Sequence, residues 1–91
     1  MKYYVYILSS KTKVLYIGVT GNFEKRINEH KLCVHKGFSQ KYKCDQLVYF
    51  EEYTDPKQAI QREKQLKKYS RNKKEELIVK FNSEWKDLSE S

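Results

Sequence analysis

The sequence predicts an α+β domain, a small antiparallel or mixed sheet flanked by helices, with its elements in the order ββαβαα. Three observations predict it. Two tyrosine-rich runs, Tyr4-Val5-Tyr6 and Tyr16-Ile17-Gly18, flank a polar stretch of Ser9, Ser10, Lys11, Thr12 and Lys13, which is a hairpin pattern. Leu47-Val48-Tyr49-Phe50 is a short apolar run of strand formers. Beyond it, Asp55-Pro56 and Ser70 each open a segment of helical composition.

Taken in order, the hairpin has strands over Lys2–Ser9 and Val14–Thr20. Folded symmetrically about Lys11, it sets Tyr6 directly opposite Tyr16, side chains about 5 Å apart on one face. Gly18 beside them leaves room for a ligand or a second backbone. Thr20-Gly21-Asn22 is a turn, and Asn22 caps a helix over Phe23–Val34. His35 to Lys43, with Gly37, is a loop. The third strand covers Gln46 to Tyr53 and is buried on both faces. Asp55 caps a second helix, Pro56 suits its first position, and it runs to about Tyr69. Ser70 caps the third helix, whose apolar residues are Leu77, Ile78 and Phe81 and which ends at Asn82. Trp85 and Leu88 then fasten the tail to the body.

Ninety-one residues are read as one domain, 1–91, with a single modest core. No apolar run approaches the ~20 residues that span a bilayer, and Ser9, Ser10 and Lys11 interrupt any signal-peptide core. Two cysteines, Cys33 and Cys44, make no disulfide framework and read as free thiols in a reducing cytoplasm. With His30 and His35 they match no zinc-ligand spacing. Net charge is +7 and the sequence pI is about 9.4. From Lys57 to Lys74 there are eight basic residues and one acidic residue, Glu63, whereas from Glu75 onward acids outnumber bases. A basic block beside an aromatic-rich sheet is the footprint of a nucleic-acid binder.

Polar groups fall where packing wants apolar ones. Phe23, Ile27 and Val34 share a helical stripe with His30, and Arg26 lies one turn earlier on its flank. Two cationic or near-cationic groups on a core-facing edge need an anionic partner or a cleft. In the second helix Ala59, Ile60 and Leu66 define the buried side, with Glu63 in the middle of that arc and Lys67 beside it. A carboxylate there is costly without a partner. Two readings stay open: a salt bridge to Arg26 or Lys67, or a ligand for a hard divalent cation, which takes one or two carboxylates plus waters and phosphate.

Tyr4-Val5-Tyr6, Tyr16-Ile17-Gly18, Arg26, His30 and Glu63, in this order and spacing, resemble a GIY-YIG nuclease domain. The resemblance covers nearly the whole chain. It is strongest to small bacterial proteins consisting of that domain alone, whose tails resemble Asn82-Ser83-Glu84-Trp85-Lys86-Asp87-Leu88. It implies a central three-stranded antiparallel sheet flanked by three helices, with a phosphodiesterase site on one sheet face. It also implies a single divalent ion, Mg²⁺ or Mn²⁺. Tyr6 and Tyr16 would then be the motif tyrosines, one of them deprotonating or positioning the attacking water. Arg26 would hold the scissile phosphate, His30 would assist proton transfer, and Glu63 would be the metal ligand. A phenol with a pKa near 10 is a poor base at pH 7, so it would need a neighbouring cation or His30.

Three positions depart from the family pattern. Tyr4 stands in place of the first motif glycine. Val19 follows Gly18 where many catalytic relatives carry lysine, so that phosphate contact is either missing or supplied by Lys67. A downstream asparagine has two candidates, Asn72 and Asn82. The resulting expectation is a metal-dependent DNA endonuclease of repair or recombination, directed by DNA structure and acting in the cytoplasm. Lys64, Lys67, Lys68, Arg71, Lys73 and Lys74 would contact phosphates. The alternative is a nucleic-acid-binding module that is catalytically weak or inactive. The pattern is compatible with a monomer and leaves room for a protein partner.

Overall fold

A computed structural model describes residues 1–31, 44 and 46–89, with only the backbone of residues 30 and 31. It contains β1 (Tyr3–Ser9), β2 (Leu15–Thr20), α1 (Phe23–Lys31), β3 (Gln46–Tyr53), α2 (Pro56–Lys67) and α3 (Arg71–Phe81). The expected continuation of α1 to Val34, the loop from His35 to Lys43, and the side chains of His30, Cys33 and His35 lie outside the described residues. The strands form one antiparallel sheet in the order β2-β1-β3. This is the expected α+β architecture.

The hairpin register differs from the expected one. Tyr6 pairs with Gly18, and Tyr16 pairs with Leu8. The turn explains the shift. Lys13 N–H donates to Ser10 C=O at 3.0 Å, and Ser10 N–H donates to Val14 C=O at 2.9 Å. Lys13 itself adopts a left-handed backbone, φ 65°. This is a three-residue loop closed by a left-handed residue, which centres the hairpin on Thr12 instead of Lys11. Because side chains alternate with a period of two, a shift of two residues leaves Tyr6 and Tyr16 on the same face as diagonal neighbours.

β1 is the middle strand, and both of its faces are covered. Val5 and Ile7 join Ile17, Val48 and Tyr49 beneath Ala59 and Leu66 of α2 and Ile78 of α3. Tyr6 and Leu8 join Leu47 and Ile27 on the other face, with Phe23, Tyr16, Phe50 and Leu88 against them. Val48 is a bulge: Ile7 pairs with Tyr49 and Leu8 with Leu47, which leaves Val48 unmatched. It therefore joins Tyr49 on the α2–α3 side, and β3 is buried on both faces as expected.

Caps start the helices where expected. Asn22 Oδ1 accepts from Lys25 N–H, Asp55 Oδ1 from Lys57 N–H, and Ser70 Oγ from Lys73 N–H, each worth about 1 kcal/mol. Ile60 corrects the expected inward arc of α2: it is 43% exposed, while Ala59 and Leu66 are fully buried. At 100° per residue Ile60 lies about a quarter-turn from the Ala59–Leu66 line. Arg62 and Glu63 flank that line instead.

The tail closes the free edge of β3. Leu88 N–H donates to Leu47 C=O at 2.7 Å, and Asp87 accepts from Leu47 N–H at 3.1 Å. Asn82 is buried, donating to Val48 C=O at 3.2 Å and Lys86 C=O at 2.7 Å. These bonds satisfy edge groups that would otherwise template pairing with another chain.

Candidate active site

Tyr6 sits on the central strand between Gly18 and Phe50, and is 1% exposed. The far end of its ring lies over Gly18. A Cβ at that position would stand 2.5 Å from the Tyr6 Oη and 2.6 Å from its Cζ, far inside van der Waals contact. The space that the sequence reserves beside Gly18 is therefore filled by the Tyr6 phenol, not left open to a ligand. Gly18 is required by close approach alone.

Tyr16 stands diagonally across, ring centroids 6.4 Å apart and tilted by 40°. Phe23, the first residue of α1, comes within 6.0 Å of the Tyr6 ring and 5.5 Å of Phe50. Tyr4 stacks on Phe23 at 4.4 Å and donates its hydroxyl to Glu52. Of the first tripeptide, Tyr4 therefore packs and only Tyr6 enters the site. These rings form an aromatic floor, worth more than their buried area alone where they meet edge or offset.

The helices bring charge to this floor. Burial pushes the Tyr6 phenol well above the ordinary tyrosine range, and Tyr16 raises it further. Arg26 of α1 pulls it down, while Glu63 of α2 and Glu29 of α1 push it up. Four groups from three elements therefore act on one hydroxyl, and Glu29 was not among the residues expected there. At neutral pH Tyr6 is an un-ionised hydrogen-bond donor. His30 lies one turn beyond Arg26 on α1, its side chain outside the described residues.

Glu63 is held on the inward flank of α2 with 17% of its side chain exposed, and its Oε2 lies 3.6 Å from Lys67 Nζ. Of the two expected cation partners, Lys67 makes the described ion pair. One half-buried oxygen donor suits Mg²⁺ or Mn²⁺, which complete their shell with water and phosphate. It does not suit zinc, which needs a full protein ligand set, and no group of three His, Cys, Asp or Glu converges among the described residues.

The neighbouring residue, Arg62, turns to the opposite side of the sheet. Its Nε reaches Glu51 at 3.0 and 3.2 Å and its Nη2 at 3.1 Å. Tyr49 and Tyr53 donate hydroxyls to the same carboxylate, and Arg62 also donates to Gln65 and Tyr69. This network was not anticipated from the sequence. Its signal is the alternation Tyr49-x-Glu51-x-Tyr53 on one strand face, together with an arginine three residues after Ala59.

The departures from the family pattern also find places. Val19 packs into the α2–α3 core, on the face away from Tyr6. Asn82 is committed to capping α3 and holding the tail, so of the two candidate asparagines only the exposed Asn72 is left. Lys64, Lys67 and Lys68 lie at the C-terminal end of α2, and Arg71, Lys73 and Lys74 begin α3. Arg71 pairs with Glu75 at 3.0 Å, and Lys73 lies 4.2 Å over the Tyr69 ring.

A family model described as the GIY-YIG catalytic domain matches residues 2–76, a span holding both tyrosine tripeptides, Arg26, His30 and Glu63. A UPF0213 protein of Clostridium perfringens is 43% identical over 79 residues, 82% of this chain and 81% of its own. Another, from Natronomonas pharaonis, is 37% identical over 77 residues, 85% of this chain and 91% of its own. The solution NMR structure of a UPF0213 protein from Bacillus halodurans matches with a TM-score of 0.63 at 28% identity, covering 100% of both chains. With the tyrosine pair and the two helix-borne charges gathered on a β2-β1-β3 sheet, and the family model spanning them all, the chain belongs to the GIY-YIG family of nuclease domains.

Proposed function

We propose that this protein is a divalent-metal-dependent endonuclease that hydrolyses phosphodiester bonds in structured or branched DNA, in the service of repair or recombination. The observation that carries the reading is the Tyr6–Tyr16 pair on one sheet face, with Arg26 and Glu63 near enough for their charges to bear on the Tyr6 phenol. Phosphodiester hydrolysis needs an activated water, neutralised phosphate oxygens and help for the leaving oxygen. Arg26 would hold the scissile phosphate and offset the charge that develops on it. Tyr6, a buried neutral donor, would orient the water or a phosphate oxygen. Tyr16, the less buried phenol, would exchange protons with the help of His30. Glu63 would hold the metal, which when bound lowers the pKa of its water and polarises the phosphate. Ninety-one residues leave little surface to read a long sequence, which favours recognition of DNA shape.

The test is cleavage of single-stranded, duplex, flapped and branched DNAs, with Mg²⁺, with Mn²⁺ and with chelator, by the parent and by Glu63→Gln. The expected result is metal-dependent cutting by the parent alone, with DNA binding and melting temperature nearly unchanged in the variant. Normal Mg²⁺-dependent cutting by Glu63→Gln would sink the metal assignment. A lowered melting temperature would show that the Glu63–Lys67 ion pair serves the fold. A parent that binds every DNA and cuts none would favour the binding module.

A further inference from the structure

The tip of the hairpin and the start of α3 enclose a groove of 480 Å³, lined by Thr12, Lys13, Val14, Leu15, Arg71 and Lys74. Its charged lining is entirely cationic. Glu75 holds Arg71 at 3.0 Å, whereas Lys13 and Lys74 have no ion-pair partner among the described residues.

Lys13 is the unusual member. It occupies the left-handed position of the turn, φ 65°, where glycine or asparagine closes such a loop with less strain. Its ammonium sits 4.8 Å from the centroid of the Trp85 ring, within reach of the ring's negative face. Trp85 is also left-handed, φ 55°. These two are the positive-φ non-glycine residues of the described structure, and they touch each other. The Trp85 ring, packed against the α2–α3 core, holds the Lys13 ammonium beside the groove that Lys13 lines.

We propose that this groove binds the phosphodiester backbone of the DNA at a point beyond the scissile phosphate, with Lys13 and Lys74 as its phosphate contacts. Lys13 precedes Tyr16 by three residues, at most about 10 Å along the chain, the length of about three nucleotide steps at 3.4 Å each. The tyrosine pair faces α1, whereas Arg71 and Lys74 of the groove belong to α3 on the other side of the sheet, so a strand that joins the two rounds the tip of the hairpin. The inference rests on the proposal that DNA is the substrate, and it names the surface that carries the flanking strand.

The experiment is binding of a 20-base-pair duplex to the full chain without metal, titrated with salt. Lys13→Gly removes the charge and suits the left-handed backbone, so its melting temperature should equal or exceed the parent's. Lys13→Gly and Lys74→Gln should each weaken binding and reduce the log–log salt slope by about 0.9. Lys80→Gln, near the far end of α3, should leave the slope alone. A parent-like slope in Lys13→Gly, or an equal reduction in Lys80→Gln, overturns the groove. So does stabilisation of the parent by inorganic phosphate alone, with DNA binding indifferent to Lys13, which would assign the site to a free oxyanion. Binding is read separately from cutting. A protein that needs Lys13 to bind but cuts nothing therefore refutes the nuclease and keeps the groove, and one that cuts while ignoring Lys13 does the reverse.

Discussion

Gly18 decides where the Tyr6 hydroxyl can lie. Its backbone is extended, so a methyl group adds no dihedral strain; it meets the phenol instead, 2.5 Å from Oη. Gly18→Ala should therefore cost about 1–3 kcal/mol, the usual range for overpacking, and should move the Tyr6 ring out of line with Arg26 and Glu63. Thermal melts and cleavage assays of that variant check both effects. Tyr6→Phe and Tyr16→Phe keep both rings and remove only a hydroxyl, so stability should change by at most about 1 kcal/mol. If the phenols position or transfer protons, single-turnover cleavage should fall about 10²-fold or more in at least one of them, with DNA binding intact. Cleavage at the parent rate in both variants would remove the tyrosines from the mechanism. At this scale the sequence was informative about residue type and poor about geometry. Tyr6, Tyr16, Arg26 and Glu63 were legible as candidates from their order, within the span of the family model. The pairing of Tyr6 with Gly18 was not, because the register depends on a left-handed Lys13 in a turn without glycine or asparagine.

Among the elements, α2 is the one whose orientation matters most, since it carries Glu63 on one flank and Arg62 on the other. Arg62 clamps the helix to β3 through Glu51, and this fixes the rotation that turns Glu63 towards the tyrosines. Burial alone would raise the Glu51 carboxyl, but bonds from Arg62, Tyr49 and Tyr53 outweigh it and hold its pKa below the ordinary carboxylate value. A depressed carboxylate stabilises the fold above its unfolded pKa, about 4.3, and that contribution is lost as pH falls through the folded value. Tyr53 acts at the other limb: burial and then its bond to Glu51 push it up to about 12. Its stabilisation is present below the unfolded tyrosine pKa of about 10 and fades as pH rises towards 12. Glu51→Gln should lower the melting temperature at pH 7, by about 1–3 kcal/mol of stability, and flatten the decline in stability below about pH 4. Thermal melts from about pH 3 to pH 7 check both, and an unchanged acid limb would refute the clamp. Helix starts were legible here because caps are local chemistry. The inward face of α2 was not, because Ile60 looks like core by hydropathy while the partly buried Arg62–Glu51 ion pair claims the place beside Ala59.

For the whole molecule, the basic block reads differently in three dimensions than in one. Of its eight cations, Arg62 is turned to Glu51 on the sheet, Lys67 to Glu63 and Arg71 to Glu75. Summed charge could not tell solvated lysines from arginines committed to packing. Lys57, Lys64, Lys68, Lys73 and Lys74 are left, and of these the exposed Lys64 and Lys68 at the end of α2, with Lys73 at the start of α3, form the field that an approaching duplex would meet. No helix among the described residues is long and apolar enough to cross a membrane. Changing Lys64, Lys68 and Lys73 together to Gln should weaken binding and flatten its salt dependence, by about 0.9 in log–log slope for each duplex phosphate that is no longer neutralised. Cleavage of saturated complexes should hardly change, because none of the three is among the charges acting on the Tyr6 hydroxyl. The slope separates two routes for the DNA. If the triple variant has a shallower slope than the parent, the strand crosses α2 and the start of α3. If the slope is unchanged, these three lysines touch no phosphate and the strand lies across the tyrosine-bearing sheet face.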